Sequence, residues 1–243
     1  MQPHPRLLMV VPHPDDETLT GLLPLRLRLE AGWSVSVLPA TLGSAPDRRA
    51  ARKAELRAAC RVLGFSPVFQ PDPEAESLAG TIRRLRPALL LFPHAADAHP
   101  RHRATHRLAV RALDLAGFPC PVAETEYWHP NLHPNLLAAA SPVQRGILLR
   151  ALRCHAGELA RTDYDRRLVP WMVDNVRRAA ERLGGPGAPM PPRLWAGVLY
   201  RLRLRADGTW RPLPPPNPFL RTPADLRGLA AALLAAVPPA PES

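Results

Sequence analysis

The sequence predicts an α/β fold whose mostly parallel sheet carries helices on both faces. From the N-terminus to about residue 125, short apolar runs alternate with longer amphipathic ones. The short runs are apolar throughout rather than at every second position, as expected of strands buried on both faces by crossover helices. At 243 residues and 46% hydrophobic content, the chain is large enough for one sizeable core.

The elements follow in order. Arg6–Val11 (RLLMVV) reads as a buried strand stopped by Pro12. Glu17–Glu30 reads as a helix, with Pro24 marking a kink or a late start. Ser34–Leu38 is a second strand. Asp47–Leu63 is a helix with Asp47 as its N-cap, alanines, Leu56 and Val62 on its apolar face, and Gly64 at its end. A short strand near Val68, a helix over Glu74–Leu85 and the apolar run Ala88–Phe92 continue the alternation. Arg101–Ala116 is a helix ended by Gly117, and Pro121–Val122 a short strand. Beyond them, Ser141–Arg161 and Tyr164–Leu183 read as two helices. The linker GGPGAPMPP and one strand, Trp195–Leu204, come next. Residues 1–204 therefore make one Rossmann-like α/β domain. Residues 205–243 form a Pro-rich C-terminal extension with one short helix over Pro223–Val237.

Composition closes several alternatives. Three cysteines, Cys60, Cys120 and Cys154, are odd in number and far apart, which argues against a disulfide framework or a CxxC metal cluster. The first apolar run is too short for a signal sequence, and the longest, Gly228–Val237, is about half a membrane span. A reduced, cytoplasmic protein without a membrane span is expected. The net charge of +11 is almost entirely arginine, Lys53 being the one lysine. The arginines are scattered, with no basic stripe interleaved with aromatics, so nucleic-acid binding is the weaker reading of this charge. Steering of an acidic small molecule is the alternative.

Two constellations carry chemistry. Pro12-His13-Pro14-Asp15-Asp16-Glu17 directly follows the first strand, and strand C-terminal ends are where open parallel sheets bind ligands. His13 and Asp16 can ligate a divalent metal with nitrogen and oxygen, leaving Asp15 to take a proton from water. Asp15 and Asp16 equally suit caps for the helix beginning near Glu17. The second constellation, Asp97 to His106, follows the fourth strand and reaches the same sheet edge. His99, His102 and His106 there share one helix face. Neutral imidazole on a metal avoids the cost of imidazolium at a helix N-terminus, which makes His102 the third ligand candidate.

The motifs PHPDDE (12–17) and HPRH (99–102) resemble the two signatures of the PIG-L/LmbE-like N-acetylglucosaminyl deacetylases, [AP]HPDDE and HPDH. Arg52-Lys53-Ala54-Glu55-Leu56, the stretch Leu152–Leu159 around His155, and Ala196–Tyr200 resemble further family segments, so the resemblance spans residues 6 to 204. It implies zinc held by His13, Asp16 and His102, with Asp15 as general base. A protonated His99 would stabilise the oxyanion, and Asp15 or His99 would deliver a proton to the departing amine. It also implies substrate contacts from Arg52 and His155, a small N-acetyl sugar substrate, and a possible homo-oligomer. Glu17 reads as structural support.

Three positions depart from the family pattern. Arg101 replaces the Asp of HPDH, which leaves Asp97 as the nearest anion to support a protonated His99. Gly197 stands where the family has Glu, and Ala156-Gly157 replaces a small-Ser pair. These departures keep open a metal-binding protein with lost or altered catalysis.

Overall fold

The computed structural model describes residues 4–70, 73–189 and 191–237. Met190 of the Pro/Gly linker and residues 238–243 of the C-terminal extension lie outside the described residues.

Five strands, β1 (Arg6–Val11), β2 (Ser34–Pro39), β3 (Ser66–Pro67), β4 (Leu89–Pro93) and β5 (Cys120–Thr125), run parallel in the order β3-β2-β1-β4-β5. Strand order reverses between β1 and β4, which are paired at Leu7↔Leu89 and Met9↔Leu91. The loops leaving the carboxyl ends of these two strands diverge to opposite sides and open a crevice, the usual ligand position in such sheets. Both histidine/aspartate motifs leave from that pair.

The pleat of β1 divides the core. Leu7, Met9 and Val11 pack with Leu22 and Leu25 of α2 (Leu22–Ala31), Leu56 of α3 (Arg49–Leu63) and Leu148 of α6 (Pro142–Leu152). Leu8 and Val10 point the other way, onto Leu78 and Ile82 of α4 (Ala75–Leu85) and Ala109 and Leu113 of α5 (Pro100–Ala116). Helices on both faces explain why the strand is apolar at every position after Arg6.

The predicted helix Glu17–Glu30 is two helices, α1 (Asp16–Leu19) and α2. The Tyr200 hydroxyl sits in the break, donating to Thr20 O at 2.6 Å and accepting Leu23 N–H at 3.0 Å. Pro24 then falls in the first turn of α2, where its missing N–H costs nothing. Asp47 is not an N-cap: it lies in a 3-10 turn, Pro46–Arg48, and α3 starts without a side-chain cap. The predicted helix Ser141–Arg161 is also interrupted, giving α6 and the one-turn α7 (Ala156–Leu159), because His155 turns inward between them. Helix α8 (Tyr164–Leu183) matches its predicted span.

The second half of the sheet is antiparallel. β7 (Gly197–Ala206) pairs with β5, β6 (Leu136–Ala139) and β8 (Thr209–Pro212), and β9 (Phe219–Leu220) runs parallel to β6. β6, β8 and β9 carry no sequence signal strong enough to predict them, being short and, in two cases, Pro-flanked. The boundary after residue 204 falls inside β7, and α9 (Pro223–Ala235) packs on α2 through Leu226, Leu229 and Leu233. Arg26 of α2, only 2% exposed, ties this region down. Its guanidinium pairs with Glu30 and donates to the carbonyls of Ala139, Leu220 and Thr222. No helix of the described residues is long and apolar enough to cross a membrane.

Candidate metal centre and active-site cleft

The loop after β1 is tightly constrained. Asp15 has φ 123° and ψ −33°, a conformation that L side chains rarely adopt and that surrounding contacts must enforce. Glu17 provides one of them: its Oε2 accepts the Asp15 N–H at 2.8 Å, while its Oε1 lies 2.7 Å from His155 Nε2. Glu17 and His155 are both fully buried. His155 therefore does not reach the cleft; it supports the loop through Glu17.

His13, Asp16 and His102 converge, each offering one ligand atom within 4.8 Å of the others. His13 Nδ1 lies 3.5 Å from Asp16 Oδ2, and His102 Nε2 lies 3.7 Å from Asp16 Oδ1. Donors around a tetrahedral divalent ion stand roughly 3.3–3.4 Å apart, so a small contraction onto a metal closes the set. His102 Nε2 is buried without a hydrogen-bond partner, as a ligating nitrogen would be before metal binds. Its other nitrogen, Nδ1, faces Asp97 Oδ2 at 3.3 Å. A carboxylate there fixes the tautomer that leaves Nε2 free to ligate.

Electrostatics separates the two aspartates. Burial alone would raise Asp16, but the His102 and His13 imidazoles outweigh it and hold the carboxyl below its ordinary value. Asp15 goes the other way: burial, reinforced by the neighbouring carboxylates of Asp16 and Glu17, pushes it well above the ordinary carboxylate range against the pull of Arg52. One carboxylate is thus suited to ligate and the other to exchange a proton.

His99 caps α5. Its Nδ1 accepts the Arg101 N–H at 3.2 Å, and its ring stands 5.4 Å from that of His13 and 5.2 Å from that of His102. Burial, then the neighbouring His102 and His13, lower its pKa. An imidazolium would need a proton on the Nδ1 that serves as the cap acceptor. The geometry therefore favours neutral His99 with a proton on Nε2, not the protonated form expected from the resemblance. Asp97 also differs from expectation: one oxygen accepts the His99 backbone N–H at 2.8 Å and the other faces His102. It faces His102 rather than the His99 ring.

His106 lies off the site, with Nδ1 3.0 Å from Pro93 O and its ring packed on Phe92. Arg52 is 7% exposed, with one guanidinium nitrogen 3.3 Å from Pro14 O and 3.4 Å from Glu158 Oε1. It reaches the cleft wall beside Asp15. Arg101 is exposed at the cleft edge. Gly197 sits where β7 presses on β6: a Cβ would lie 2.7 Å from Ala138 O and 2.9 Å from a Leu137 methyl, so a glutamate side chain has no room there.

A cavity of about 610 Å³ opens over these groups. Besides the predicted residues it is walled by the loop Thr41–Ala45, Arg48, Arg49, Trp128, Glu158, Arg161 and Tyr164. Trp128 stands 6.1 Å from the His99 ring and 6.2 Å from Tyr164. None of these was legible as a site residue. They come from loops and helix ends whose spacing carries no period, and Trp128 offered only the weak signal of an aromatic shortly after a strand.

The switch-point crevice thus brings a possible His2Asp metal-donor set beside the buried Asp15 carboxylate. Residues 8–113, which contain both motif loops, match the family described as PIG-L, GlcNAc-PI de-N-acetylase. A relative from Streptomyces avermitilis, 1D-myo-inositol 2-acetamido-2-deoxy-alpha-D-glucopyranoside deacetylase, is 28% identical over 86% of this chain and 86% of its own length. Among solved structures, a conserved protein of Thermus thermophilus superposes with a TM-score of 0.63 at 24% identity, covering 89% of this chain and 97% of its own. The 4-carboxy-2-hydroxymuconate hydratase of Pseudomonas putida superposes with a TM-score of 0.62 at 20% identity, covering 80% and 95%. The last two likenesses establish the shared fold.

Proposed function

We propose that the protein is a zinc-dependent N-deacetylase that hydrolyses the acetamide of an N-acetylglucosamine-type glycoside. The observation that carries this reading is the pairing of the His13/Asp16/His102 donor set with a buried, strained Asp15 in one crevice. The family match over residues 8–113 and the named activity of the Streptomyces relative support the substrate class. Two nitrogen donors and one carboxylate suit zinc, with room for a fourth position. Bound there, the metal supplies Lewis-acid polarisation of the acetamide carbonyl and a more acidic water.

The chain's own residues do the rest. Asp15 takes the proton of the attacking water on its carboxylate and returns it to the sugar nitrogen as the C–N bond breaks. The products are acetate and a free amine. His99, neutral at Nδ1, donates its Nε2 proton in a hydrogen bond to the developing oxyanion. Arg52 holds the Pro14 carbonyl and thereby the loop that carries Asp15. Three free cysteines, two of them buried, suit a reducing cytoplasmic setting.

The test is metal analysis of the purified protein together with acetate release from a panel of N-acetylglucosamine glycosides. One zinc per chain and acetate release support the reading. Metal without acetate release from any glycoside would favour the second reading, a metal protein with altered catalysis, which the lack of a carboxylate at Gly197 and the exposed Arg101 favour.

A further inference from the structure

Five guanidinium groups, those of Arg48, Arg49, Arg52, Arg101 and Arg161, line the cavity against three carboxylates, Asp15, Asp16 and Glu158. Two of those carboxylates belong to the metal and base positions. Arg52 and Arg161 share the third, Glu158, at 3.4 Å and 3.8 Å. Arg48 lies 3.7 Å from Glu55, which leaves Arg49 and Arg101 without an ion pair among the described residues. The cleft therefore carries cationic charge that its own side chains do not balance, and a divalent metal would add to it.

The arrangement is built rather than incidental. Arg48 lies over Gly157, where a Cβ would make its guanidinium swing aside. Glu55 Oε1 accepts the Gly157 N–H at 3.0 Å while facing Arg48, so the same carboxylate anchors α7 and the arginine. Gly157 leaves room for Arg48 in this position. The 3-10 turn Pro46–Arg48 leads directly into α3 and places Arg48 and Arg49 side by side on the cavity wall.

We propose that Arg48, Arg49 and Arg161 form a subsite for an anionic group, phosphate or carboxylate, on the aglycone of the sugar substrate. The inference rests on the deacetylase reading for the position of the sugar: its acetamide lies at the metal end, and the anion lies toward α3 and α7. Arginine's planar fork suits bidentate contact with either oxyanion.

The experiment measures binding by calorimetry to the zinc-loaded Asp15→Asn protein, in which turnover is slowed about 10²–10⁴-fold. The probes are N-acetylglucosamine 1-phosphate, an N-acetylglucosaminyl malate and the neutral methyl N-acetylglucosaminide. At least one anionic probe should bind about tenfold tighter than the neutral one, the scale of one charge-assisted contact, with an advantage that shrinks as salt rises. Whichever anion gains more identifies phosphate or carboxylate as the preferred group. Arg48→Met, Arg161→Met and Gly157→Ala should each erode that advantage, and Arg48→Lys should retain part of it. Equal affinity for charged and neutral probes would overturn the proposal, as would an advantage unchanged in all three variants. Failure of the deacetylase reading shows separately, as no acetate release by the wild type from any probe while the Arg48-dependent preference persists.

Discussion

Glu17 and His155, separated by 138 residues, meet in a 2.7 Å contact with both side chains fully buried. Through its second oxygen Glu17 also accepts the backbone N–H of Asp15, so one carboxylate joins α1, the turn before α7 and the strained residue at the centre of the cleft. Burial by itself would lower His155, but the Glu17 charge outweighs it and its pKa is raised.

That pair yields a stability prediction with a definite sign. Because the folded pKa of His155 is above its unfolded value, its contribution is fully present below about pH 6.5 and is lost as pH rises through the folded value. His155→Gln should therefore be less stable than wild type at acid pH, with the gap narrowing toward alkaline pH. Breaking a buried pair costs about 3–5 kcal/mol. Denaturant midpoints across pH check this, and a gap that widens with rising pH would refute it. Glu17→Ala should also lose more activity than Glu17→Gln, since glutamine still offers an acceptor to Asp15 N–H.

The metal set makes a second prediction. His13→Ala and His102→Ala should each lose the metal, measured by elemental analysis after dialysis. Asp97→Asn should keep the fold but weaken metal affinity about 10–100-fold, because Asp97 orients His102. Full metal occupancy in both histidine variants would remove the assignment.

Asp15→Asn tests the proton acceptor. It should retain metal and lose about 10²–10⁴-fold in kcat, the scale of general-base catalysis. If Asp15→Asn loses metal while Asp16→Asn keeps it, the two aspartates have exchanged roles.

Arg26 tests whether the C-terminal segment is integral to the fold. Arg26→Met takes the cation from the half-buried Glu30, which keeps only its Gln144 donor, and strips donors from the carbonyls of Ala139, Leu220 and Thr222, at about 1–3 kcal/mol for each acceptor left unsatisfied. Chemical denaturation should show that loss, and limited proteolysis should reach residues 205–237 first. Wild-type stability and protease resistance would mean that this segment contributes little.

The parallel core and the grouping of the candidate site residues are legible in the amino-acid sequence. Continuous apolar runs such as Arg6–Val11 and Leu89–Pro93 reveal strands buried on both faces, and the polar motifs that follow them must project from strand ends. His13, Asp15, Asp16, His99 and His102 were legible because two short loops carry them all. Tertiary structure decided what depends on distant partners. Tyr200 splits the first predicted helix, Glu17 captures His155, Asp97 turns to His102 rather than the His99 ring, and Gly157 makes room for Arg48. Local periodicity reports which face of an element is buried, but not which residue more than a hundred positions away will meet it. The roles of His155, Asp97 and the cleft arginines arise from such meetings, and only the folded chain brings them about.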